Sequence, residues 1–228
     1  MEKRSIHIQE SPVTDRDHLD RAGGPEGCNT GMEREDRRST GLVGLDLALE
    51  GGIPKGAVIL VVGNPLNGLD LFARQFWQIE EEKSDGGTYL ILDGDPLEGM
   101  IDVREKKLGQ FGDLMQGERV VVDSLSTLIL DHGLDAALDL IRQAQDYARR
   151  EGANVLCTLY EGLHSPIEEI RLFRAADGYF ELRQQIDGSE VQRKMGIFKM
   201  KGLDLPNQLV PYNITAEGLE LSTTKRVV

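Results

Sequence analysis

Residues Gly63-Asn64-Pro65-Leu66-Asn67-Gly68-Leu69-Asp70 hold two glycines five apart, the spacing of a loop that wraps its backbone N–H groups around phosphate oxygens. Phosphate chemistry at such a loop also needs a lysine after the second glycine, to reach the outer phosphates, and then a Ser or Thr to hold Mg²⁺. Here those two positions are Leu69 and Asp70. The loop can still turn and offer N–H groups to an anion. It has lost one positive charge and gained a negative one.

A second set of residues bears on the same chemistry. Asp123 follows the apolar run 120–122, where a phosphate-transferring enzyme keeps the acid that supports Mg²⁺. Asp93 and Asp95 follow the apolar run 88–92. In an open α/β sheet the carboxyl ends of the strands gather at one edge, so Asp70, Asp93, Asp95 and Asp123 are expected to converge. A carboxylate about 4 Å from a phosphate oxygen repels it by roughly 4 kcal/mol at an effective dielectric near 20. The same four aspartates are candidate ligands for a hard divalent cation, and whether they hold one stays open at this point.

The elements that must position these residues follow from hydrophobic period. Residues 57–62 read as a buried strand, and apolar residues at 69, 72, 73, 76 and 79 predict a helix over 69–82. Residues 45–49 predict a short helix ending at Gly51-Gly52, and 96–107 a further helix. Residues 119–123 and 154–160 are apolar on both faces, as buried parallel strands are, with helices expected over 134–150 and 167–174. From residue 179 strands follow one another without helices, at 179–186, 191–200, 209–214 and 219–221, with a turn at Asp187-Gly188. Alternating β and α units followed by a β-rich end give an α/β fold: a doubly wound, mostly parallel sheet with helices on both faces and an antiparallel C-terminal edge. Residues 1–38, rich in Gly, Pro and charge, are expected to form a flexible tail, with 39–228 as the domain.

Several separated motifs resemble one family. Ser39-Thr40-Gly41-Leu42-Val43-Gly44-Leu45-Asp46 with Gly51-Gly52-Ile53-Pro54-Lys55-Gly56 resembles the opening of KaiC-like, archaeal-type members of the RecA superfamily of P-loop ATPases. Val121-Val122-Asp123-Ser124-Leu125 is similar to their Walker B strand. Ala175-Ala176-Asp177-Gly178, Lys199-Met200-Lys201-Gly202 and the run 212–219 are similar to their C-terminal signature. The resemblance spans residues 39–222. It implies that the Walker A motif is degenerate at Leu69 and Asp70, and that the paired catalytic glutamates correspond to Asp93-Gly94. It also implies that Lys199 and Lys201 could act in trans on a neighbouring subunit. About thirty residues separate Asp93 from Asp123, short for the family, so an intervening helix or strand is expected to be missing.

Bulk properties narrow the function classes. A formal charge of −13, from 39 acidic and 26 basic residues, argues against general affinity for nucleic acid backbone. No run of eighteen apolar residues suggests a membrane span. Two distant cysteines, Cys28 and Cys157, fit a reducing cytoplasm, with Cys157 a core residue. His132 and His164 fall in loops after strands without a nucleophile at a recognisable spacing. Trp77 is expected to be exposed and to mark a contact surface. The reading is a catalytically inactive regulatory or scaffolding subunit with a protein partner, either a KaiC-like paralogue or a second copy of itself, and no obligatory cofactor. The alternative is a weak nucleotide- or metal-dependent ATPase that uses ATP, ADP or Mg²⁺ at the acidic cluster.

Overall fold

The computed structural model describes residues 36–79 and 86–222. The expected tail lies outside the described residues up to residue 35. Its last two residues belong to the fold instead: Arg37–Arg38 (β1) pairs antiparallel with Ile53–Pro54 (β2). The Arg38 guanidinium is buried, bonded to Asn154 Oδ1 at 2.9 Å and paired with Glu118 at 3.2 Å. Between β1 and β2 lies helix α1, Val43–Ala48.

The strand Val58–Gly63 (β3) leads through the glycine loop into α2, Leu69–Trp77. Then come Gly87–Ile91 (β4), Ile101–Asp102 (β5), the short helix Phe111–Leu114 (α3) and Arg119–Asp123 (β6). Helices Leu125–His132 (α4) and Leu134–Glu151 (α5) precede Asn154–Tyr160 (β7), and Pro166–Ala175 (α6) precedes Gly178–Asp187 (β8). Glu190–Met200 (β9), Val210–Thr215 (β10) and Gly218–Leu221 (β11) complete the described chain.

These strands form a sheet in the order β11-β10-β9-β8-β3-β7-β6-β4-β5. From β8 through β3 to β5 every neighbour is parallel, and from β8 to β11 every neighbour is antiparallel. The expected doubly wound sheet with an antiparallel edge is therefore present. Side chains alternate between two cores. Val58, Leu60 and Val62 of β3 pack with α4 and α5, while Ile59 and Val61 pack with α1 and α2. On the α1 face, Gly44 lies so close to the last strand that a Cβ there would stand 2.6 Å from Leu221 Cβ.

Two expected elements differ. No helix spans 96–107. Gly94 and Gly99 take left-handed φ of 83° and 86°, and a Cβ on Gly99 would stand 3.3 Å from the Trp77 ring, so the chain turns there and adds only the two-residue β5. The chain from β4 to β6 thus runs through turns, β5, a single 3-10 turn at Leu108–Gln110 and α3. Helix α2 ends at Trp77, short of residue 82, and residues 80–85 lie outside the described set.

Candidate functional site

The glycine loop keeps its turn while its side chains serve the core. Gly68 caps α2 with φ 85°, a left-handed conformation that costs other residues about 1–2 kcal/mol. Asn67 is wholly buried. It donates Nδ2–H to Leu182 O at 2.6 Å, and its backbone carbonyl accepts the Tyr212 hydroxyl at 2.7 Å. Its Oδ1 lies so near Gly63 that a Cβ there would stand 2.8 Å away, which is why this position needs glycine. Leu69, at the lysine position, is buried in the α2-side core, whereas Leu66 is exposed. Asn64 Oδ1 accepts from Leu66 N–H at 2.9 Å and fixes the outer turn.

Beside α2, a cavity of about 300 Å³ opens at the carboxyl edge of β4, β6 and β7. The structure brings Asp70, Asp93, Asp95 and Asp123 together along its wall, with Arg74, Tyr89 and Tyr160. Arg74 is the one cationic side chain in that wall, and it is bound to Asp70 at 2.9 Å. Asp123 is buried and accepts from Tyr89 Oη and Thr158 Oγ1, each at 2.6 Å. Burial raises its pKa, the two hydroxyls oppose that, and Asp93 and Asp70 add to the rise. Burial and the same carboxylates push the Tyr89 and Tyr160 phenols far above their ordinary range. The cavity is therefore anionic, and it is walled by groups that hold their protons. Among the described residues, no three Asp, Glu, His or Cys side chains stand close enough to hold a metal ion, so the four aspartates share a wall without forming a ligand set.

The remaining candidates have other surroundings. Lys199 Nζ reaches Phe173 O at 2.9 Å and Arg174 O at 3.1 Å, and also bonds Ala176 O, so it clamps the end of α6. Lys201 pairs with Asp177. Both ammonium groups have partners in their own chain, and neither lines the cavity. Trp77 is half-buried, against the expected exposure: it donates to Gly87 O at 3.1 Å and meets Tyr89 edge-on, supporting the cavity wall from behind. Cys157 is buried and its thiol is pushed up to about 12, as a core residue requires. His132 is exposed at the end of α4. His164 has a partner that the sequence did not reveal, Ser126, with Nε2 2.9 Å from Oγ. The separation of 38 positions hides that pairing; only the first turn of α4 and the β7-α6 connection bring the two together.

Comparison with known proteins agrees with this architecture. The family profile described as "ATPase: KaiC" matches residues 99–226. A UPF0273 protein of Methanopyrus kandleri is 22% identical over 83% of this chain and 93% of its own length. One from Aeropyrum pernix is 27% identical over 81% and 92%. A solved KaiC-like protein from Pyrococcus horikoshii superimposes with a TM-score of 0.65 at 20% identity, covering 82% of this chain and 98% of that one.

Proposed function

This chain belongs to the KaiC ATPase family, and we propose that within it the protein is a catalytically inactive, regulatory or scaffolding subunit. The observation that carries this reading is the pair of residues at the start of α2. Leu69 is buried in the core in place of a phosphate-reaching ammonium, and Asp70 faces the cavity in place of a Mg²⁺-holding hydroxyl. With Asp93, Asp95 and Asp123 on the same wall, a bound triphosphate would meet carboxylates on several sides. One such contact costs roughly 4 kcal/mol at about 4 Å and an effective dielectric near 20. Arg74 offers little relief, since Asp70 already holds it.

A subunit of this kind needs a surface for a protein partner, a KaiC-like relative or a second copy. Helix α6 supports that requirement: Ile167 and Ile170, one turn apart, are 73% and 63% exposed. The test is calorimetric titration with ATP and ADP, with and without Mg²⁺. The unaltered chain is expected to give no heat up to millimolar nucleotide, and Leu69→Lys with Asp70→Thr to give measurable binding. Micromolar binding by the unaltered chain would overturn the reading.

A further inference from the structure

Beyond the cavity, the end of β7 is held by a partly buried junction that the proposed function does not use. The Tyr160 N–H donates to Ser126 Oγ at 2.8 Å, and His164 Nε2 lies 2.9 Å from the same oxygen. Ser126 sits in the first turn of α4 and is 0% exposed. Tyr160 lines the cavity on one side of this junction. On the other side His164 closes the turn that carries exposed Leu163 and leads into α6 with Ile167 and Ile170.

The hydrogen-bond inventory fixes the protonation state that suits this arrangement. A serine hydroxyl has one proton to donate and lone pairs to accept with. Ser126 already accepts from Tyr160 N–H, and among the described residues Nε2 is the one acceptor bonded to its hydroxyl, which suits a bare Nε2. The fitting imidazole is neutral and carries its proton on Nδ1. Protonation would turn Nε2 into a donor, which a second lone pair of Ser126 Oγ could accept. The serine's own proton would then lose the acceptor that Nε2 provides, inside a residue that is 0% exposed.

We propose that Ser126 and His164 form a pH-sensitive latch that pins the 161–165 turn and the start of α6 to the end of β7 while the imidazole is neutral, and releases them when it is protonated. The charged groups acting on the ring are Glu168 and Glu169 of α6, which favour its charged form. The groups bonded at the junction from α4 and β7, the Ser126 hydroxyl and the Tyr160 amide, are neutral. Burial outweighs the two glutamates and holds the imidazole below its ordinary range. The sign follows: a depressed folded pKa means that the latch is closed above the ordinary histidine range and opens as pH falls through the folded value.

The test is an NMR titration of the full chain from about pH 8 to about pH 4, following the His164 ring and amide-exchange protection over residues 161–170. The expected result is the Nδ1–H tautomer at neutral pH and a midpoint below that of an ordinary histidine. Protection factors of the turn should fall at least tenfold across that midpoint. Ser126→Ala should return the midpoint toward the ordinary range. Should that variant not fold, His164→Gln decides, since its turn protection should no longer change with pH. An ordinary or raised midpoint, unchanged protection through it, or a pH-dependent loss that persists in His164→Gln would each overturn the latch. No nucleotide enters the measurement, so its outcome is separate from that of the calorimetry.

Discussion

Asp177, which precedes β8, and Asp123, which ends β6, are buried carboxylates at opposite edges of one sheet, and their surroundings differ in kind. Asp177 accepts from Val58 N–H at 3.1 Å and Gln145 Nε2 at 3.3 Å, pairs with Lys201, and has Arg149 at 4.0 Å. Burial raises its pKa, but Lys201 and the Val58 amide more than offset that, and the net direction is down. Asp123 has two hydroxyl donors, other carboxylates nearby, and a net direction that is up. At the amino edge the fold uses a charge and supplies its counter-charge. At the carboxyl edge it keeps the charge without one, where a phosphate-bound cation would stand in a hydrolysing relative. Asp177 therefore belongs to the architecture, and Asp123 to a cavity wall that it shares with other carboxylates.

The contrast can be broken by substitution. Asp177→Ala is expected to cost about 3 kcal/mol in urea unfolding, because it leaves the buried Val58 N–H unpaired and removes the partner of Lys201. Asp123→Asn keeps an acceptor and removes the uncompensated charge, so it should cost less than about 1 kcal/mol. Equal losses at the two positions would erase the distinction.

Acid titration sharpens it, because the signs are opposite. Asp177, with its folded pKa depressed, contributes stability above the unfolded carboxylate value and loses it as pH falls through the folded value. Asp123, with its folded pKa raised, contributes more as pH falls from neutral through its folded value toward the unfolded one. Asp123→Asn should therefore remove an acid-side gain, measured as the difference between the two unfolding curves against pH. The smallest effect belongs to Asp70→Ala. The exposed pair with Arg74 predicts a change within about 0.5 kcal/mol, read from the same denaturation experiment.

Much of this was legible in residue order. The strand, loop and helix around residues 58–77 follow from an apolar run, two glycines and a helical stripe. The convergence of four aspartates follows from the rule that parallel strands end at one edge. Helix α4 has its own signs, Ser124 as the cap and Leu125, Leu128 and Ile129 on one face, but the periodicity reading assigns no element to it and starts its helix at 134, beyond Gly133. The segment 96–107 misled because Leu97, Met100 and Ile101 imitate a helical stripe. In the fold Leu97 and Met100 line the cavity, while Gly94 and Gly99 turn the chain. The in-chain partners of Lys199 and Lys201, and the pairing of Ser126 with His164, depend on which strands become neighbours. No local spacing encodes that.

The near-contact between Gly44 and Leu221 has a consequence for how the chain is made. Helix α1 has no room for even a methyl group against β11, so this part of its docking surface is absent until residue 221 has emerged from the ribosome. The central strand β3 waits as well, since both its neighbours, β7 and β8, come about a hundred residues later. Helix α1 and strand β3 therefore wait through most of translation with these faces uncovered. Their closure follows the synthesis of β7, β8 and β11 instead of their own.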